Sequence, residues 1–161
     1  MTPLEIFAIG KELWSLYEDI TEEDGNQKPK EDKQVRDTIT PQTSWKYFKL
    51  SEFNCPCCDG NNISRTLVDR LDYSRQIAGV PFRISSGFRC KSHNASSKVG
   101  GKPRSAHLDG FAVDIKASSG AIKSTIVASL FASGIKRVGI YKTFIHADIS
   151  TKLPYPMLWT G

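Results

Sequence analysis

The 161-residue sequence has no apolar run approaching the ~18 residues that span a bilayer, which excludes a membrane-spanning helix. Its N-terminus carries Glu5 and Glu12 where a signal peptide would place basic residues before an apolar stretch, so no cleavable signal is expected. Repeats and low-complexity tracts are absent. Histidine is scarce, with three residues, and so is cysteine, with four. Acidic side chains are also few once the chain is divided. Residues 1–37 hold ten acidic and five basic side chains, whereas residues 38–161 hold seven acidic and seventeen basic ones. The overall charge of +5 therefore combines −5 with +10. A domain of +10 is drawn to a polyanion, whether nucleic acid, an anionic cell-wall polymer or a membrane surface. At 39% hydrophobic and 24% charged, the chain has the apolar material for one packed domain of ordinary size.

Residues 1–20 read as an amphipathic helix started by Thr2, Pro3 and Glu5, with Ile6, Ile9, Leu13, Leu16, Tyr17 and Ile20 on one stripe. That stripe packs on the main domain or docks on a partner. The ten charged residues of 21–37, with Gly25 and Pro29, make a solvated linker that places a domain over 38–161. Within it the patterns predict a helix from Ser64 to Ala78 stopped by Gly79, and a strand over 80–85. A long functional loop should follow over 90–110, then a strand over 111–116 and a helix carrying Ile122, Ile126, Val127, Leu130 and Phe131. Two further strands fall over 137–141 and 144–150, before a proline-broken tail that holds Trp159. The fold class is α+β, with helices packed on a small, largely antiparallel sheet.

Two of the histidines stand beside carboxylates. His107 lies seven positions before Asp114, and Gly110 and Ala112 between them allow the backbone a close approach. His146 and Asp148 are two apart on a strand and share a face. Pairing of adjacent strands would bring His146 over His107 and Asp114. A His, Asp, His set with a fourth position for water has the composition of a catalytic zinc site. The competing reading is that each histidine is an ordinary residue satisfied by hydrogen bonds. Cys55, Cys58, Cys90 and His93 have the ligand types of a Cys3His structural zinc site, which would leave Cys57 spare. Disulfides in an oxidising compartment, or free thiols, are the alternatives. Any link between the two cysteine turns would pin the loop that carries Arg89.

The segments 84–94 (ISSGFRCKSHN), 99–101 (VGG), 105–114 (SAHLDGFAVD) and 144–148 (FIHAD) together resemble the zinc peptidases of the D-alanyl-D-alanine carboxypeptidase type. These are grouped with the L-alanyl-D-glutamate endopeptidases of phage lysins, the vancomycin-resistance dipeptidases and the hedgehog signalling domain. Their pattern S-x-H-x(2)-G-x-A-x-D with a later histidine is complete here, over roughly residues 43–150. The resemblance implies a hedgehog/DD-peptidase-like fold, with His107, Asp114 and His146 as zinc ligands. It makes Arg89 the residue that holds the substrate carbonyl or developing oxyanion, a task suited to a fixed guanidinium. Ser105 would orient substrate or neighbouring groups. Many relatives carry an acid three residues before the last ligand, where this chain has Thr143. Asp148 is accordingly the expected general base, the alternative being that it orients a ligand histidine.

The expected activity is zinc-dependent hydrolysis of an amide bond in the peptide stem of bacterial peptidoglycan, as an endopeptidase or DD-carboxypeptidase. The short chain resembles phage lysis or virion-borne enzymes, made in the host cytoplasm and released to the wall or carried on the particle. Two alternatives remain. One is a basic Cys/His module for nucleic acid, although no recognised nucleic-acid motif is present. The other is a hedgehog-like domain that keeps its zinc cleft without cleaving.

Overall fold

A computed structural model describes residues 45–161. The expected N-terminal helix and linker, 1–37, lie outside the described residues. A 3-10 turn, Leu50–Phe53, leads to helix α1 (Arg65–Ala78). Strand β1 (Arg83–Ser86), the short helix α2 (Lys91–Ala95) and strand β2 (Ala112–Lys116) follow. Helix α3 (Gly120–Ala132) then precedes β3 (Arg137–Ile140), β4 (Phe144–Asp148) and β5 (Met157–Thr160). The five strands form one sheet in the order β1-β2-β4-β3-β5, in which only the β3–β5 pair is parallel. This is the expected α+β architecture.

Local chemistry sets the ends of α1. The Ser64 hydroxyl accepts the Leu67 N–H at its start, and Gly79 closes it at φ 64°. Leu67, Val68 and Leu71 turn inward from α1, as Ile126 and Leu130 do from α3. Ile122 and Phe131, expected on the same stripe of α3, are exposed at its ends. The helices meet the sheet over Val113 and Ile115 of β2, Val138 of β3, and Ile145 and Ala147 of β4. Because strand side chains alternate, Asp114 and His146 are placed on the opposite face from this core.

Two elements depart from expectation. The loop over 90–110 contains helix α2, whose N-cap is Cys90. The tail is a strand, β5, laid parallel on β3 beyond Pro154 and Pro156, so Trp159 falls opposite Gly139. The Trp159 ring packs directly over Gly139, where a Cβ would stand 2.6 Å from the indole.

The acidic residues outside the sheet mostly fasten the chain to itself. Asp69 accepts the Trp45 indole N–H at 2.6 Å, and Asp72 accepts the Lys46 and Tyr47 backbone N–H groups. Glu52 accepts the Lys49 N–H at 2.8 Å, and Asp109 pairs with Lys152 on the surface.

Gly110 tests the loop that delivers the chemistry to the sheet. It adopts φ 73°, and a Cβ there would overlap the Asn62 carbonyl. Gly110→Ala should therefore lower unfolding free energy by at least ~2 kcal/mol in urea titration, from backbone strain and steric overlap combined. Gly120→Ala, with open space around the added methyl, should stay within about 1 kcal/mol of wild type.

Candidate active site

The antiparallel register of β2 with β4 sets Asp114 directly opposite His146. On the flanks, Ser86 of β1 pairs with Asp114, and Gly139 of β3 pairs with His146. One row of residues thus crosses the sheet from Ser86 through Asp114, His146 and Gly139 to Trp159. His107 arrives from the loop and lies above this row. Its Nδ1 is 2.7 Å from the Gly87 carbonyl, so that nitrogen carries the proton and Nε2 presents its lone pair. At His146 the order is reversed. Nε2 lies 3.1 Å from Asp148 Oδ2 and donates to it, leaving Nδ1 as the free nitrogen.

The three free atoms converge. His107 Nε2 is 3.3 Å from His146 Nδ1 and 3.3 Å from Asp114 Oδ1, and the last two are 3.0 Å apart. A tetrahedral ion with bonds of about 2.0–2.1 Å needs ligand atoms separated by about 3.3 Å. The triangle fits a zinc ion through its donor types and its edges alike. The resemblance-based ligand set of His107, Asp114 and His146 is therefore assembled in space, on the floor of a cleft of about 790 Å³.

Without an ion the trio is only partly ready to ligate, because a proton on His146 Nδ1, which ligation would displace, bridges that ring to Asp114. Burial pushes His107 below its ordinary pKa, and Asp114 offsets this only in part. Burial acts in the same direction on His146, but hydrogen bonds with Asp114 and Asp148 outweigh it and leave that ring above its ordinary value. For Asp114, burial would favour the neutral acid. The adjoining His107 and His146 rings overcome it and hold the carboxyl well below the usual range.

Arg89 reaches the site from the segment after β1. Its Nη2 donates to Asp114 Oδ2 at 2.5 Å and its Nε to Ser86 Oγ at 2.8 Å. One oxygen of Asp114 is thereby fixed by arginine while the other faces the histidines. The Arg89 N–H also donates to the His107 carbonyl, tying the two loops together. Ser105 lines the cleft, and its hydroxyl accepts the His107 N–H at 3.4 Å, so it shapes the loop that carries the ring.

Asp148, expected as general base, is among the residues lining the cleft, next to His146. Its carboxylate is fully buried. One oxygen accepts Arg137 Nε at 2.9 Å and the Ser150 N–H at 2.9 Å, while the other accepts His146 Nε2. It stands behind the His146 ring, on the side away from the free Nδ1. Of the two expected roles, general base and residue that orients His146, these contacts favour the second, because both oxygens already accept hydrogen bonds. Burial would raise its pKa, but the His146 bond, the Ser150 N–H and Arg137 together hold it below the ordinary carboxylate value of 3.8.

The structure adds three residues that the sequence did not single out. Arg137 is buried between Asp148 and the Trp159 ring, with its guanidinium carbon 5.3 Å from that ring's centroid, and also bonds the Pro154 carbonyl. Trp159 lies beside His146, with ring centroids 5.6 Å apart. Its Nε1 donates to the Tyr141 hydroxyl at 3.0 Å. Only the Gly139 pairing partner could have signalled this wall, and that requires the β3–β5 register.

A second cluster lies apart from the cleft. Cys55, Cys57, Cys58 and Cys90 gather their sulfur atoms within 4.8 Å of one another, all as free thiols. His93 is not among them; the fourth donor grouped with Cys55, Cys58 and Cys90 is Cys57. As Cys90 caps α2, His93 in the first turn offers that sulfur its backbone N–H, at 3.4 Å, rather than its ring.

A family model described as Peptidase M15 matches residues 46–148, the larger part of the chain and all three residues of the triangle. The chain belongs to the peptidase M15 family. The M15 enzymes are zinc peptidases, in keeping with the donor set found here. No curated protein matches the chain. Among the described residues of this M15 peptidase, no helix is long and apolar enough to cross a membrane.

The Asp148–Arg137 pairing predicts a stability effect. Asp148→Asn leaves Arg137 buried without its counter-charge and should cost about 3 kcal/mol at neutral pH. A group whose folded pKa is depressed stabilises above its unfolded value and loses that contribution as pH falls through the folded one. The gap between wild type and Asp148→Asn in denaturant titrations should therefore persist above pH 3.8 and close below it.

Proposed function

We propose that this M15 peptidase hydrolyses an amide bond in the peptide stem of bacterial peptidoglycan, using one zinc ion held by His107, Asp114 and His146. The observation that carries the reading is the triangle of free donor atoms, 3.0–3.3 Å on a side, at the floor of an open cleft. A zinc ion there supplies a Lewis acid that polarises a carbonyl and makes water acidic near neutral pH. The remaining roles fall to the chain's own residues. Gly87 and Asp148 hold the two imidazoles in the tautomers that turn a lone pair toward the cleft. Arg89 fixes the carboxylate of Asp114. Among the described residues its Nη1 makes no hydrogen bond, which leaves a charged donor for the substrate oxygen on which negative charge develops. The Tyr141 hydroxyl accepts from Trp159 and so keeps its own proton for a group in the cleft.

The substrate class is supported by the cleft's charge. Arg89, Lys102 and Arg104 line it, and basic residues outnumber acidic ones across residues 38–161. Stem peptides carry free carboxylates on a polymer that is itself anionic, which suits that lining. The aromatic wall of Trp159 and Tyr141 offers flat apolar surface for the peptide.

Two experiments test the reading. Purified peptidoglycan incubated with the protein should release new amine and carboxyl ends, located by mass spectrometry. Chelator should abolish the release and added zinc restore it. His107→Ala should bring turnover to background, and Arg89→Ala should reduce kcat by about 10²–10³-fold, the usual effect of losing one oxyanion donor. Zinc binding without any cleavage across several wall chemotypes would sink the hydrolase reading, and salt-sensitive DNA binding in its place would favour the nucleic-acid module.

The second experiment reads pH. His146 has a pKa above its ordinary 6.5 in the metal-free protein and must lose its proton to ligate, whereas His107 is already neutral. Zinc affinity should therefore fall as pH drops through the His146 pKa, with about one proton released per ion below it. Calorimetric titration in buffers of different ionisation enthalpy measures that proton count.

A further inference from the structure

We infer that Cys55, Cys57, Cys58 and Cys90 form a second, structural metal site that takes a tetrahedral thiophilic ion, Zn2+, and clamps the segment carrying Arg89. The four sulfurs lie within 4.8 Å of one another. A tetrathiolate zinc site, with bonds of about 2.3 Å, requires sulfur separations of about 3.8 Å. The Cys57 sulfur is 3.6 Å from that of Cys55 and 3.3 Å from that of Cys90. Cys57 thus faces two thiols at once, so the cluster is four-way rather than sorted into two pairs for bridging.

The backbone is built around the sulfurs. The Cys58 and Asp59 N–H groups both donate to the Cys55 carbonyl, and the Cys55 N–H donates to Gly60, which closes a tight knuckle. Asp59 turns it at φ 52°. Gly60 sits where a Cβ would stand 3.3 Å from the Cys58 sulfur. Donors point at the sulfurs, as they do where thiolates ligate metals. The Cys90 N–H lies 3.4 Å from the Cys55 sulfur, and the Ser92 hydroxyl lies 3.1 Å from that of Cys90.

Cys55 is buried beside Phe53, whose carbonyl accepts the Phe88 N–H. Cys90 directly follows Arg89, the partner of Asp114. An ion at the cysteines joins the 55–58 knuckle to the start of α2 and so fixes the Cys90 end of the Ser86–Cys90 segment, whose other end is held by the β1–β2 pairing. This inference is independent of the hydrolase reading and separable from it.

The test uses the full chain purified under reducing conditions. Metal analysis should give two zinc ions per chain in wild type, one in His107→Ala and one in Cys57→Ser. Because Cys57→Ser could misfold, the decisive measurement is Co2+ loading of His107→Ala with its cysteines intact. That sample should show near-ultraviolet thiolate-to-cobalt charge transfer and the intense visible bands of a tetrahedral site. Absence of the charge-transfer band overturns the inference. So does an intact mass of unreduced protein lighter by two or four hydrogens, which reports disulfides. A single wild-type ion lost in His107→Ala but kept in Cys57→Ser overturns it as well. A single ion with the reverse dependence supports the cysteine site while removing the basis of the proposed hydrolase.

Discussion

The antiparallel pairing that sets Asp114 opposite His146 is the constraint on which the rest depends. The side-chain period of a strand is two, so this register commits Val113, Ile115, Ile145 and Ala147 to the core and the two polar residues to the other face. A slip of one residue in β2 would turn the Asp114 carboxylate toward the core that holds Leu67 and Leu130 while exposing Val113 and Ile115. The hydrophobic core therefore holds the polar geometry in place, and the same pairing continues outward to Ser86 on one side and Gly139 on the other. Stability and chemistry are specified by one set of backbone hydrogen bonds.

Charge is deployed sparingly around that row. Among the described residues Asp114 and Asp148 are the buried acids, and each has one guanidinium partner, Arg89 and Arg137 respectively. Burying an ion pair repays its desolvation only when the remaining lone pairs are also satisfied. Both carboxylates meet that condition through the histidines, and Asp148 through the Ser150 N–H besides. The Asp148 pair backs the His146 ring, so that ring cannot rotate without taking a hydrogen bond from a buried carboxylate. Asp69, Asp72 and Glu52, placed elsewhere, work on backbone and indole N–H groups and take no part in the cleft.

Much of this was legible in the residues alone. Ser64 and Gly79 marked the limits of α1, strands were expected over both β2 and β4, and the two-residue spacing of His146 and Asp148 marked the polar face of β4. The spacing of His107, Asp114 and His146, read through a family resemblance, named three residues that the fold does bring together. What escaped was whatever depends on a partner distant in sequence. Asp148 shares a face with His146, but its role turns on which ring nitrogen faces the cleft, and that is decided by Arg137 and Ser150. Trp159 gains its position from a parallel pairing on the sheet edge that two prolines disguised. His93 was grouped with the cysteines by its spacing to Cys90, whereas the helix capped by Cys90 uses the His93 backbone and brings Cys57 into the cluster instead.

The opposite tautomers of the two histidines carry a further consequence. His107 gives its proton to a neutral main-chain carbonyl, whereas His146 gives its proton to a carboxylate. A ring hydrogen-bonded to an anion takes on imidazolate character and becomes the more electron-rich donor. The two nitrogens that face one another across 3.3 Å are thus unequal in basicity, one an Nε2 of ordinary strength and the other an Nδ1 enriched by the charge behind it. A cation bound between them would meet two unequal nitrogen donors, the stronger being the one backed by Asp148.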